Sequence, residues 1–241
     1  MTSTDAPEGP RSRPPRRGAR DGPPYDTADD AHGLRSLLRG NVGALASTSF
    51  LNDLSSEMIY PLLPVFLTGV LGAGAGFLGV VEGVAESTAS LMKLAGGWLS
   101  DRVRKRKALV GWGYGIASFA RPLLALALAP WHVLGIRLTD RVGKGVRTAP
   151  RDALLAGSVS GGRRGAAFGV HRAADHAGAV LGPLLATGIL LLVPGRLRLV
   201  FALAAIPGIA AVITVVVAVR EVAPSTPEAR PEAPTALRDL G

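Results

Sequence analysis

The sequence contains no cysteine. That excludes disulfide frameworks, thiolate metal sites and cysteine nucleophiles, and leaves the compartment open. Aromatic residues make up only 5% of the 241 positions, and lysine is scarce, with 4 against 23 arginines. Histidine occurs four times, at His32, His132, His171 and His176. None of these forms an HExxH or similar ligand pair, so no structural metal site is expected. No nucleophile and base stand in a recognisable constellation either, which argues against an enzyme and against a cofactor. What is abundant is positive charge: 27 Lys and Arg against 18 Asp and Glu, a net +9. These basic residues are dispersed between apolar segments rather than gathered on one polar face, so nucleic acid is not the expected partner.

Mean hydropathy is positive at +0.30 although 19% of residues are charged. Both hold only if polar and apolar residues are segregated. Residues 1–40 and 221–241 carry 10 of the 18 prolines and almost no apolar run, and read as disordered polar tails with too little apolar surface to offset chain ordering. Arg16 and Arg17 are followed by no apolar core, so no twin-arginine or secretory signal is read. Residues 41–220 hold apolar stretches of about 20 residues, enough at about 1.5 Å per residue to cross a hydrocarbon layer of about 30 Å.

Six spans are expected, at about 41–70, 76–100, 108–129, 131–157, 166–192 and 199–219. The third, fifth and sixth are plainly apolar, whereas the first, second and fourth carry internal charges. With the N-terminus in the cytoplasm, the inside segments collect 17 Lys and Arg and the outside segments only Arg196 and Arg198. That asymmetry places both termini in the cytoplasm of a multi-pass cell-membrane protein.

Ionisable residues inside spans are expensive, on the order of 3 kcal/mol each at a helix centre, so they face a bundle interior or a wet cavity. Asp53 and Glu57 lie four apart, as do Glu82 and Glu86, and each pair shares a helix face. Arg137, Arg141, Lys144, Arg147 and Arg151 form one stripe with Asp140 beside it. With Arg121, Asp175, His171 and His176, these groups suit a proton or polar-solute pathway, a carboxylate pair holding a shared proton and the histidines acting as relays. Any single one of them suits a structural ion pair equally well. On the fifth span, Gly169, Gly178 and Gly182-Pro183 are expected to put small residues on one side of a helix, for close packing with a bend at the proline.

Three stretches together resemble the major facilitator superfamily. Gly97-Trp98-Leu99-Ser100-Asp101-Arg102-Val103-Arg104-Lys105-Arg106 is similar to that family's cytoplasmic signature between spans two and three, with Arg104 at the place of its second glycine. Arg137 followed by Asp140-Arg141-Val142-Gly143-Lys144-Gly145 is similar to the arginine-and-glycine motif of span four. Gly169, Gly178 and Gly182-Pro183 resemble the antiporter motif of span five.

The resemblance implies an all-α membrane fold of six helices, half of the twelve-span family architecture and internally a 3+3 inverted repeat. It implies a conformational latch at Gly97, Asp101, Arg102, Lys105 and Arg106, and proton handling at Arg137. It also implies proton-coupled transport of a small molecule, as efflux, by the N-terminal half of such a transporter, which acts in the bilayer with a second six-helix half or as a homodimer, or is a truncated chain. The alternative is a non-transporting scaffold or regulatory subunit that keeps the same bundle.

Overall fold

The computed structural model describes residues 37–103 and 105–222, and every regular element among them is helical. The helices are α1 (Asn41–Glu57), α2 (Ala75–Arg102), α3 (Arg106–Ala120), α4 (Pro130–Gly157), α5 (Arg164–Leu192), α6 (Leu197–Leu203) and α7 (Ala205–Ala218). Residues 60–70 continue α1 through short, irregular helical turns. Pro61 and Pro64 lack the N–H that a regular ladder needs there. Arg121–Leu126 prolongs α3 in the same way, with Pro122 at its start. Pro130 opens α4 at a position that needs no hydrogen-bonded N–H. Gly195 turns the chain from α5 into α6 with φ +74°, a conformation that glycine adopts without steric cost.

Three helical runs among the described residues are long and apolar enough to cross a membrane: Arg106–Leu126, Gly161–Leu192 and Leu197–Ala218. They coincide with the third, fifth and sixth expected spans. The other three expected spans are helical, but they fall short of that apolar standard for physical reasons. The regular part of α1 is 17 residues long, and α2 and α4, each of 28 residues, carry charge along their length. Of the expected tails, residues 1–36 and 223–241 lie outside the described residues. Leu37 is buried, and the Val222 side chain packs against Gly157.

Helix α4 packs on α2 and α3, α1 packs on α5 and α7, and α3 packs on α7. Exchanging α1 with α4, α2 with α5 and α3 with α7 maps these neighbour relations onto themselves. Two apolar clusters close the ends of the bundle. One joins Leu45, Val110, Leu154, Leu155 and Val215. The other joins Ile59, Leu63, Phe66, Leu124 and Phe201, with the Phe66 and Phe201 rings edge to face at 5.0 Å. At the first end Asn41 Nδ2 donates to Ser158 Oγ at 2.8 Å, and the Arg220 backbone N–H donates to Asn41 Oδ1 at 2.8 Å.

Glycines set the closest helix crossings. A Cβ at Gly143 would lie 2.6 Å from the Gly113 carbonyl oxygen of α3, and one at Gly96 would lie 2.7 Å from the Gly145 carbonyl oxygen of α4. Across the pseudo-symmetry, a Cβ at Gly178 would sit 2.5 Å from the Phe50 carbonyl oxygen and one at Gly182 2.7 Å from Glu57 Cβ. Gly178, Gly182 and Ala186 therefore form the buried α5 seam against α1. Gly169 does not belong to that seam, contrary to the expectation from sequence. Nothing would lie within 4 Å of a Cβ there. It stands nine positions before Gly178, about two and a half turns at 3.6 residues per turn, which puts it on the opposite side of the helix.

Gly182→Ala is expected to push α5 from α1 and lower stability by about 1–3 kcal/mol. Gly188→Ala, with nothing within 4 Å of its added Cβ, is expected to be neutral or stabilising. Thermal unfolding of the detergent-solubilised protein measures both, and equal melting temperatures for the two variants would contradict the close crossing at Gly182.

Candidate functional site

Between the apolar ends lies a layer of charge built by α1, α3 and α4. Arg121 Nε donates to Asp140 Oδ1 at 2.9 Å, with side-chain exposures of only 3% and 2%. The Tyr60 hydroxyl donates to Asp140 Oδ2, and Arg121 Nη1 donates to the Asn52 carbonyl oxygen at 3.1 Å. Asp140 thus accepts on both carboxylate oxygens, and Arg121 spans two helices. Such saturation is what a buried ion pair requires, because desolvation otherwise exceeds the Coulombic gain.

A second pair joins the same layer. Arg137 Nη2 donates to both Glu82 carboxylate oxygens, at 2.7 and 2.6 Å. Arg137 is 3% exposed and Glu82 47%. The Arg137 guanidinium carbon stands 4.0 Å from the Tyr60 ring centroid and that of Arg141 5.4 Å away, so one ring serves two cations. Five of the nine expected pathway residues (Glu82, Arg121, Arg137, Asp140 and Arg141) are brought together around Tyr60.

The other four are not part of that cluster. Asp53 and Glu57 are half-buried one turn apart on α1, and the Asn52 side-chain amide donates to Asp53 Oδ1 at 2.8 Å. Asp175 and Arg147 are among the charged groups nearest Asp53, in a second polar layer toward the Leu45 end. In that layer Arg147, 4% exposed, stacks 4.4 Å over the Tyr114 ring. Arg147 Nε and Nη1, the Tyr114 hydroxyl, both His171 ring nitrogens and Asp175 Oδ1 have no hydrogen-bond partner among the described residues. His171 Nε2 lies 3.7 Å from Asp175 Oδ1. Glu86 and His176 are exposed on α2 and α5.

The expected latch residues lie at the α2 to α3 connection. Gly97 abuts α4, where an added Cβ would sit 3.9 Å from Ala149 Cβ. Asp101 and Arg102 are exposed in the last turn of α2, with the Arg102 guanidinium 3.7 Å over the Trp98 ring. Lys105 is exposed just before α3, and Arg106 opens that helix. Asp101 forms no ion pair with a described residue.

Sequence reasoning missed Tyr60, the hub of the first layer, together with Asn52 and Tyr114. Tyr60 and Asp140 are 80 residues apart, and no spacing rule links them. The available signal was a tyrosine placed where Pro61 interrupts the first helical run.

Residues 45–241 match the Major Facilitator Superfamily, and the chain belongs to it. It is 40% identical over 171 residues to an uncharacterized MFS-type transporter of Methanocaldococcus jannaschii, covering 71% of this chain and 42% of that protein. It is 29% identical over 134 residues to the multidrug resistance protein MdtH of Cronobacter sakazakii, covering 55% of this chain and 33% of that protein. The fold resembles a crystal structure of a bacterial homolog of the human lysosomal transporter Spinster in an inward-facing, unoccupied conformation. The TM-score is 0.67 at 20% identity, over 86% of this chain and 47% of that one. The chain therefore spans less than half the length of each.

Asp140→Asn is expected to destabilise the bundle by about 3–5 kcal/mol, because it leaves Arg121 buried without its counter-charge. Arg121→Met with Asp140→Leu is expected to recover most of that loss. Chemical or thermal unfolding in detergent reads the cycle, and additive losses would show that the two groups are not coupled.

Proposed function

We propose that this member of the superfamily is one six-span half of a proton-coupled carrier that exports a small molecule across the cell membrane. Both termini are assigned to the cytoplasm. The observation that carries the reading is charge on the free faces of α2 and α5. Each of these helices has one main neighbour, α4 and α1 respectively. Yet Glu86 and Lys93 on α2 and Arg172 and His176 on α5 are exposed, and the Glu82 side chain, though paired with Arg137 of α4, is 47% exposed. A lipid-facing charge at a helix centre costs on the order of 3 kcal/mol. These faces are therefore assigned to a wet cavity shared with a second six-helix unit, whether a further half or a second copy.

In such a pairing the substrate binds near the midplane between units, and access alternates as the units rock. Asp53, Glu57, Glu82, Glu86, Arg121, Arg137, Asp140, Arg141 and Asp175 are assigned to the proton and substrate pathway. Gly97, Asp101, Arg102, Lys105 and Arg106 are assigned to the latch, and Gly178, Gly182 and Pro183 to helix packing. Outward transport draws its support from the likeness to a relative named as a multidrug resistance protein. The assigned orientation draws on the 17-to-2 distribution of basic residues.

The test uses proteoliposomes with an imposed pH gradient, containing the chain alone or co-reconstituted with a second six-helix unit. Ethidium and related fluorescent cations serve as probes. The expected result is gradient-dependent dye movement that falls at least tenfold in Asp53→Asn and Glu82→Gln, each compared with the unaltered chain at equal amounts of folded protein. Gradient-independent dye levels in both preparations would sink the carrier reading. Dye movement indifferent to both substitutions would remove these carboxylates from the coupling path.

A further inference from the structure

On the side of the bundle where α3 meets α7, away from the charged layers, the surface is indented by a groove of about 710 Å³. That is within the range of about 300–1,000 Å³ typical of small-molecule sites. Its walls are Ala108, Gly111, Trp112 and Gly115 of α3 and Val212, Val215 and Val216 of α7. The α3 wall repeats at helical spacing. Gly111 and Gly115 open the hollow because they carry no side chain: an added Cβ at Gly111 would only touch Val215, and one at Gly115 would meet nothing within 4 Å. Trp112, 71% exposed, stands along it.

One end of this groove is basic. Lys105 and Lys107 line it, and Arg106 lies between them in the chain. The acidic group at that mouth is already engaged: Glu221 accepts the backbone N–H groups of Arg106 at 3.0 Å and Lys107 at 2.9 Å. Its carboxylate thereby caps α3, which occupies the helix N-terminus and leaves the side-chain cations to act outward. Lys107 Nζ gives one donor to the Val216 carbonyl oxygen at 2.8 Å and retains two more. Lys105 forms no ion pair with a described residue. From Lys105 to Gly115 is ten residues, about 15 Å along a helix axis, running inward from the terminus of a membrane-length helix.

We propose that this groove binds one acyl chain of an anionic phospholipid whose phosphate is held by Lys105, Arg106 and Lys107. An apolar slot on the outside of a membrane bundle receives hydrocarbon, and the charge at its mouth selects the headgroup. Basic residues near a bilayer surface each contribute about fivefold in affinity for anionic lipid. The glycines keep the slot open, and the glutamate keeps α3 and α7 in register beneath it. The site depends only on residence in a bilayer and is independent of whether the protein carries a solute.

Trp98→Phe with Trp131→Phe leaves Trp112 as the single indole of the full chain. This protein is reconstituted in phosphatidylcholine vesicles doped with phosphatidylglycerol, or with phosphatidylcholine, brominated on the acyl chains. Half-maximal quenching of Trp112 is expected at a brominated phosphatidylglycerol fraction at least fivefold lower than for brominated phosphatidylcholine. Lys105→Gln with Arg106→Gln is expected to abolish that gap, and Gly115→Leu to reduce quenching by both lipids by filling the slot. Equal quenching by the two brominated lipids overturns the proposal. Absence of quenching does so as well, including the case in which a second copy covers the groove. Native mass spectrometry of the unaltered chain gives a check that needs no substitution: one phosphatidylglycerol is expected to be retained over an equal amount of phosphatidylcholine, and loss of both at the same activation energy overturns the assignment.

Discussion

The contact between Arg121 and Asp140 is the constraint around which this bundle is organised. A full charge pair with exposures of 3% and 2% is tolerable only when its remaining donors and acceptors are met and its surroundings exclude competing arrangements. Tyr60 and the Asn52 carbonyl meet them from α1. To bring α1, α3 and α4 near enough, backbones must cross closely, and that is the task of Gly113 and Gly143 between α3 and α4. The two apolar clusters then act as lids at either end, keeping bulk water from solvating the charges along the helix axes. Polar specificity in the middle and apolar packing at the ends are thus one design, because neither half of it holds the helices in register alone.

The legible part of this design was what periodicity and composition encode. Three apolar runs announced themselves, and the α4 cations at three- and four-residue spacing did place Arg137, Arg141 and Arg147 on a buried stripe. The illegible part was long-range. Nothing in the sequence near Tyr60 says that its hydroxyl meets a carboxylate 80 residues away. Nor does an i,i+4 pair of glutamates reveal that Glu82 reaches an arginine while Glu86 remains exposed. Gly169 misled for a related reason: a motif lists positions, whereas helix geometry decides which of them share a face.

The pseudo-symmetric arrangement puts unlike chemistry at equivalent places. In the α4 half, the partner helices are joined by charge: Arg137 to Glu82 of α2, and Asp140 to Arg121 at the end of α3. In the α1 half, the equivalent contacts to α5 and α7 are made by small residues and hydroxyls. Gly178 and Gly182 lie against α1, and Ser55 Oγ donates to the Ala204 carbonyl oxygen at 2.8 Å. Where α3 meets α7, between the halves, Ser118 Oγ donates to the Gly208 carbonyl oxygen at 3.0 Å. Neutral contacts of this kind are weaker singly and depend on close approach. Charge contacts reach further but penalise separation.

The two ion pairs differ in that penalty. Separating α3 from α4 would strand two groups, Arg121 and Asp140, with almost no access to solvent. Separating α2 from α4 would strand Arg137 alone, because the Glu82 carboxylate is already 47% exposed and Tyr60 still offers its ring to the guanidinium. The cost of moving α2 is therefore lower than the cost of moving α3, even though Gly96 and Gly145 bind α2 to α4 as tightly as any crossing in the bundle. Gly96 lies 14 residues from Glu82, roughly 21 Å along α2 at 1.5 Å per residue. The Glu82 end of α2 is also held by apolar packing, with Val81 fully buried in the core and the Phe77 ring edge to face with Trp131 of α4 at 4.9 Å. Of the two charge contacts to α4, that of α2 is the one whose separation strands less buried charge.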